Sequence, residues 1–205
     1  MIFPLLFQDN LLAGSMKHCL SGLLSLPVIV CLSGCSGFAV SQGPELQLHE
    51  VHPFGAKRIA FSPSGTRLAS GGLLGKVRIW SVPAGDPLAV LSQHRGVISG
   101  LVWVDEDHLL IADEEGKILV WDAVSRAATA TFQTDRITSM VLLAAPVRLV
   151  VGNTTGQVRS FSYPGFELLA ETRLGSRVLS LAIEPVSQRV AVSTADERVQ
   201  LFDSG

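Results

Sequence analysis

The sequence predicts an all-β protein built as a β-propeller of four blades, each blade a four-stranded antiparallel sheet. The first observation is a repeated segment, residues 116–122, in which a turn glycine precedes alternating apolar residues that end on Trp121. Aromatic residues equivalent to Trp121 occur at Trp80, Phe161 and Phe202, at spacings of 41, 40 and 41 residues. Repeats of about 40–45 residues with four short strands each are typical of propeller blades.

The second observation is a series of short apolar runs separated by turn residues between residues 46 and 205. These runs predict sixteen strands, four in each repeat, and helical periodicity is missing from this region. The first strand is predicted at 46–49, and the inner strands of the four blades at 56–61, 97–104, 137–143 and 178–183. The third observation is the content of 19 Gly and 10 Pro, which suits many tight turns.

The first 45 residues have the composition of a targeting segment. The segment has a basic start, Met16-Lys17-His18, followed by an apolar run that ends at Leu32, as in a secretory signal. Leu-Ser-Gly-Cys at 32–35 resembles the lipobox of bacterial lipoproteins, which implies cleavage before Cys35 and attachment of lipid to it. The alternatives are an ordinary signal or an uncleaved anchor. The predicted order is an upstream extension (1–15), a signal peptide (16–34), a tether (35–45) and the repeats (46–205).

Several residues of the repeats match a known pattern. The stretch 61–72, FSPSGTRLASGG, continues to Val-Arg-Ile-Trp at 77–80, and Trp121 is followed by Asp122. On these residues, segment 46–205 resembles the WD40 family. The resemblance implies structural roles within the blades for His94, Ser70, Asp196 and the four repeated aromatic residues Trp80, Trp121, Phe161 and Phe202.

The repeats also depart from that family pattern. A WD40 blade joins His, Asp, Ser and Trp by hydrogen bonds, and none of the four repeats holds the complete set. In the second repeat Glu115 and Ile111 occupy the expected Asp and Ser positions, and in the first repeat Leu74 occupies the Asp position. The sequence therefore predicts looser blades that depend more on apolar packing.

The number of repeats leaves three arrangements open. In a closed ring of four blades, strand 46–49 would complete the last blade and leave no free edge. In a homodimer, two chains would exchange that strand and close an eight-bladed ring with two-fold symmetry. In the third arrangement the chain is a piece of a longer propeller.

Three arginines recur in the loops that precede the inner strands. Arg95, Arg136 and Arg177 are spaced by 41 residues, which predicts equivalent positions around one rim of the central channel. Arginine pairs well with carboxylates, so this rim is a candidate site for an acidic partner; solvated strand-end arginines are the alternative. Glu114 and Glu115, in a turn on the same face, are further candidates for partner contact.

Composition and motifs exclude several classes of function. A formal net charge of −2 gives no argument for nucleic-acid binding. All three cysteines lie within the first 35 residues, and the chain has no phosphate-binding loop, nucleophile elbow or zinc motif. No catalytic residue, metal or cofactor is predicted.

The predicted function is a non-enzymatic scaffold for protein–protein interaction. It would be lipid-anchored at Cys35 in the bacterial cell envelope, on the periplasmic side, with unidentified protein partners. Ser36, rather than Asp, follows the cysteine and favours the outer membrane by resemblance to lipoproteins. The alternative is a propeller that binds a small ligand, or catalyses a reaction, at the mouth of its channel.

Overall fold

The computed structural model describes residues 46–48 and 51–203, which form strands joined by turns and loops. The predicted extension, signal peptide, Cys35 and tether lie outside these residues. In the described part, no helix is long and apolar enough to cross a membrane. The strands are β1 (Ala56–Phe61), β2 (Arg67–Gly72), β3 (Val77–Ser81), β4 (Pro87–Leu91), β5 (Ile98–Trp103), β6 (His108–Asp113), β7 (Lys117–Asp122), β8 (Ala127–Gln133), β9 (Ile137–Ala144), β10 (Val147–Asn153), β11 (Gln157–Ser162), β12 (Leu168–Arg173), β13 (Val178–Ile183), β14 (Val190–Thr194) and β15 (Val199–Phe202).

The strands form four antiparallel sheets that follow one another along the chain. The first three sheets have four strands each, β1–β4, β5–β8 and β9–β12, and the fourth has three described strands, β13–β15. The strands β1, β5, β9 and β13 lie side by side in chain order, so each sheet is a blade with its first strand innermost. The predicted all-β, four-bladed propeller is confirmed.

The predicted strand at 46–49 is wrong over its first three residues, and His49 lies outside the described residues. Leu46 and Leu48 have irregular backbone, and their side chains lie against Gly85 in the turn before β4. This segment therefore packs on the first sheet instead of pairing with β15. The closed four-bladed ring that depended on that pairing is not the arrangement of this structure.

Each inner strand carries a β-bulge at the same place, near its beginning. The strand register skips one residue in each of β1, β5, β9 and β13. A bulge redirects the side chain of its extra residue and increases the local twist. The four extra residues are Lys57, Ser99, Thr138 and Leu179.

The apolar core lies between successive sheets, in three clusters. Trp121 is buried in the cluster between the first and second sheets, and Phe161 in the cluster between the second and third. Phe202 is partly buried against the cluster between the third and fourth sheets. These three repeated aromatic residues thus pack their own blade against the preceding blade.

Candidate interaction site at the channel mouth

A cavity of about 340 Å³ lies where the four inner strands begin. We call it the channel-mouth cavity. Four cationic side chains line it, those of Lys57, Arg58, Arg136 and Arg177, together with the single carboxylate of Glu114. The four bulge residues are also part of its wall, so the repeated bulge shapes this cavity.

Arg58 reaches across the cavity wall from β1 to two other inner strands. Its Nε donates to the carbonyl oxygen of Ser99 at 2.8 Å, and its Nη2 donates to that of Thr138 at 3.1 Å. These acceptors are neutral, and the guanidinium remains charged. Because no carboxylate of the described residues forms a salt bridge with Arg58, its charge contributes to the positive potential of the cavity.

The other three cations are exposed. Lys57, Arg136 and Arg177 form no side-chain hydrogen bond or salt bridge with any residue in the described ranges, and the same is true of Glu114. Four cations and one carboxylate around one concave wall concentrate positive potential there. The arrangement can bind an anionic group without first breaking an internal ion pair.

The predicted ring of three equally spaced arginines is wrong for Arg95. In the strand register, Ile98, Ile137 and Val178 are equivalent, since they pair with Asp113, Asn153 and Thr194 at the ends of β6, β10 and β14. The residues just before them are Val97, Arg136 and Arg177, and all three line the cavity. Arg95 lies two residues earlier, is exposed and does not line it. Different loop lengths therefore break the equivalence that equal sequence spacing indicated.

The two candidate glutamates have different positions. Glu114 lines the channel-mouth cavity, and its backbone N–H donates to the carbonyl oxygen of Val97 at 2.9 Å. Glu115 is exposed outside the cavity, and its carbonyl oxygen accepts a hydrogen bond from Nε2 of Gln133 at 3.0 Å. Only Glu114 of this pair is placed to contact a ligand in the cavity.

In the first blade a hydrogen-bonded group links two strands, β2 and β3, with the loop that precedes β1. Nε1 of Trp80 donates to Oγ of Ser70 at 3.0 Å. Nε2 of His52 lies 3.0 Å from the same Oγ and 3.1 Å from the Ser70 carbonyl oxygen. Burial lowers the pKa of His52, although its hydrogen bond to Ser70 opposes the shift. The sequence predicted Ser70 and Trp80, and His52 was missed as their partner.

In the second blade the partner of His94 is Asp113. The Nδ1 atom of His94 lies 2.8 Å from Oδ2 of Asp113, and both side chains are buried. The Oδ1 atom of Asp113 accepts from the backbone N–H groups of Glu115 and Lys117. The expected acidic position was therefore two residues too late, because the carboxylate that bonds to histidine is at the end of β6 and Glu115 is in the turn.

Polar residues recur at this same strand end in the later blades. Asn153 accepts from the backbone N–H groups of Thr155 and Gln157, and Oγ1 of Thr194 donates to Asp196. Asp196 also forms a salt bridge of 3.3 Å with Arg198. The four equivalent residues Gly72, Asp113, Asn153 and Thr194 are spaced by 41, 40 and 41 residues. The repeated aromatic residues have the same spacing, and this shared periodicity could have identified the four strand-end positions from the sequence.

In residues 46–48 and 51–203, no three His, Cys, Asp or Glu side chains converge as a metal site would require.

Comparison with known proteins supports the WD40 resemblance. The family described as "WD domain, G-beta repeat" matches residues 44–81 and 85–122. Relatives include WD repeat-containing protein 1 of Bos taurus, 26% identical over 152 residues, covering 70% of this chain and 25% of the relative. Another is cell division cycle 20.5, cofactor of APC complex, of Arabidopsis thaliana, 29% identical, covering 71% of this chain and 36% of the relative. The chain thus spans about a quarter to a third of these relatives.

A solved structure with a similar fold is the WD40 β-propeller domain of Doa1. It superposes with a TM-score of 0.62 at 18% sequence identity, over 70% of this chain and 49% of that chain. The similarity shows the WD40 propeller fold. The family match supports WD40 repeats at residues 44–81 and 85–122.

Proposed function

We propose that this chain of WD40 repeats is a non-enzymatic scaffold for protein–protein interaction that receives an acidic segment of its partner at the channel mouth. WD40 repeat proteins generally act as scaffolds for protein–protein interaction. The observation that carries the proposal is the group of exposed cations Lys57, Arg136 and Arg177, which share one cavity with Arg58. Carboxylates form charge-assisted, often bidentate, hydrogen bonds with arginine.

The size of the cavity favours insertion of one or two side chains. Its volume of about 340 Å³ is near the lower end of ligand pockets. Glu114, which also lines the cavity, would repel a ligand whose negative charge came close to it. A short acidic segment with its carboxylates directed at Arg136 and Arg177 satisfies both conditions.

A fluorescent oligoglutamate peptide tests this proposal by anisotropy. We expect saturable binding that weakens as ionic strength rises, because salt screens exposed charges. Substituting either Arg136→Ala or Arg177→Ala should weaken binding by about tenfold, the equivalent of about 1.4 kcal/mol for one lost charge-assisted contact.

Arg95→Ala is the matched control, since Arg95 is an exposed arginine of the same loop type that does not line the cavity. We expect it to bind the peptide as the wild type does. An equal loss in Arg95→Ala would mean diffuse charge attraction and would contradict a defined site, as would absence of binding by the wild type.

We further propose that the chain is anchored by lipid at Cys35 in the bacterial cell envelope, on the periplasmic side of the outer membrane. The support is in the sequence: a basic start, an apolar run, and Leu-Ser-Gly-Cys at 32–35 followed by Ser36. More than one acyl chain at a single residue gives lasting membrane attachment. The proposed scaffold would then present its channel mouth to envelope proteins.

Metabolic labelling with an alkyne analogue of palmitate tests the anchor. Expressed in an enteric bacterium, the wild type should carry the label and fractionate with the outer membrane, whereas Cys35→Ser should lose the label. Cys31→Ser, a cysteine four residues earlier in the same apolar run, should keep it. Label retained in Cys35→Ser, or no label in the wild type, would show the anchor to be wrong.

A further inference from the structure

The first sheet leaves the face of β1 that points away from the second sheet uncovered. Ile59, Leu101, Met140 and Leu181 occupy equivalent positions of the four inner strands by register. The last three are 7%, 6% and 7% exposed because the preceding sheet covers them, whereas Ile59 is 67% exposed. Phe61, the equivalent of the buried Trp103, is 58% exposed.

The fourth sheet leaves its opposite face uncovered. Val199 is equivalent by register to Val77 and Ile118, which are both 0% exposed because the following sheet covers them. Val199 itself is 75% exposed. Leu201, two residues later on the same face, is 59% exposed. The apolar face that is buried in the first two sheets is therefore exposed in the fourth sheet.

These two open faces are the two halves of one kind of junction. In the junction of the first and second sheets, Trp103 belongs to the same buried cluster as Val77 and Ile79, and its Nε1 donates to the carbonyl oxygen of Ala60 at 3.2 Å. Phe61 repeats the Trp103 side of this junction, and Val199 with Leu201 repeats the other side. Among the described strands, β13 does not pack on β1 as successive inner strands do, so the two halves do not meet within one chain.

From this complementarity we infer that two copies of the chain close into one eight-bladed ring through two identical junctions. In each junction the Val199 face of one copy packs on the Ile59 face of the other. Two copies in one ring are consistent with the superposition of 70% of this chain on 49% of a WD40 β-propeller domain. A second copy carries both missing faces, and a cyclic two-fold arrangement buries all four. Contiguous exposed apolar surface of this kind marks interaction sites.

Light scattering of the full-length chain in detergent, with the detergent mass subtracted, tests the inference. We expect a polypeptide mass twice that of the single chain as purified, which is 21.8 kDa when the chain is uncleaved. Ile59→Asp and Leu201→Asp each place a charge in both junctions and should give folded monomers. Val186→Asp, at a turn residue that is 92% exposed, is the matched control and should remain a dimer.

Mixing the two monomeric variants separates this arrangement from others. Ile59→Asp keeps an intact Val199 face, and Leu201→Asp keeps an intact Ile59 face, so the mixture can form one undamaged junction. We expect the mixture to form a heterodimer at concentrations at which each variant alone is monomeric. A junction of two like faces would instead leave one of the single variants dimeric.

Several outcomes would overturn the inference. These are a wild type that is a folded monomer, a wild type that aggregates or forms larger assemblies, and a mixture that stays monomeric. Loss of the dimer in Val186→Asp would do the same, since the contact would then lie elsewhere. A folded monomer or an aggregate would assign the open faces to further blades of a longer polypeptide.

Discussion

Ser70 in the first blade and Ser99 in the second blade are both buried, but their hydroxyl groups differ in their hydrogen-bond partners. Oγ of Ser70 accepts from Trp80 and contacts His52, whereas the buried Oγ of Ser99 has no partner among the described residues. We expect Ser70→Ala to lower the free energy of unfolding by about 1–3 kcal/mol, because the indole N–H of Trp80 is left unsatisfied. Ser99→Ala should change it by no more than about 0.5 kcal/mol. Urea unfolding of both variants measures the difference, and equal losses would contradict the role of the Ser70 group.

His94 makes the stability of the second blade depend on pH. Burial lowers the pKa of His94, outweighing the hydrogen bond and the charge of Asp113, which raise it. Its Nε2 is buried without a partner in the described part of the chain, so protonation would create an unsatisfied N–H. The folded pKa of His94 lies below the unfolded value of about 6.5. Its contribution to the free energy of unfolding is therefore fully present above about pH 6.5 and is lost as the pH falls from there through the folded pKa.

We therefore expect the urea midpoint of the wild type to fall on acidification from about pH 7.5 to about pH 5.5. His94→Gln removes the titrating ring and should show a smaller fall, with His52 contributing the remainder in the same direction. A fall of the same size in His94→Gln would show that other groups control this pH range.

At the scale of the elements, close approach between blades depends on glycine at the end of a middle strand. A Cβ on Gly71 of β2 would lie 2.6 Å from Cγ2 and 2.9 Å from Cβ of Ile98 on β5. Gly71→Ala should therefore lower the free energy of unfolding by about 1–3 kcal/mol through overpacking. In Gly165→Ala, the nearest atom to the new Cβ would be Oγ of Ser162 at 3.4 Å, so this control should be neutral or slightly stabilising. Equal effects would mean that the first junction can move to accept a methyl group.

The elements were largely predictable from the sequence because each is set by local chemistry. Alternating apolar residues bounded by turn residues predicted both ends of β1 and β13 correctly, and the spacing of the aromatic residues predicted the blade repeat. The predictions that were wrong concern features that depend on contacts between residues distant in the chain. Leu46 and Leu48 alternate as a strand would, but they pack on Gly85. The predicted equivalence of Arg95 with Arg136 and Arg177 was wrong because a loop of different length shifted Arg95 relative to the strand register.

The candidate site was partly predictable for the same reason. Arg136 and Arg177 are fixed by the strands that follow them, and both line the channel-mouth cavity. The role of Arg58 could not be read from its neighbours in the sequence, since its acceptors are carbonyl oxygens of residues 41 and 80 positions away. The β-bulges that direct Lys57 and Ser99 toward the cavity likewise appear only once the strands are paired.

For the whole molecule, the uneven coverage of the blades predicts an uneven pattern of amide hydrogen exchange. Strands β6 and β7 lie between two other blades and contain Leu109, Ile111 and Ile118, all 0% exposed. Strand β15 is the outermost described strand of its sheet and presents Val199 and Leu201 to solvent. Because local opening costs least where few apolar contacts are broken, amides of β15 should exchange much faster than those of β6 and β7 in dilute protein.

The concentration dependence of this exchange connects the single chain with the inferred ring. A second copy that covers the Val199 face would slow exchange in β15 and β1 as protein concentration rises, because local opening of these strands would then require the second copy to dissociate. Mass spectrometry of peptides from these strands, at two protein concentrations, measures both effects. Exchange in β15 as slow as in β7 at the lower concentration would contradict the gradient. Exchange in Leu201→Asp that still slowed with concentration would show that contacts other than the proposed junction protect the strand.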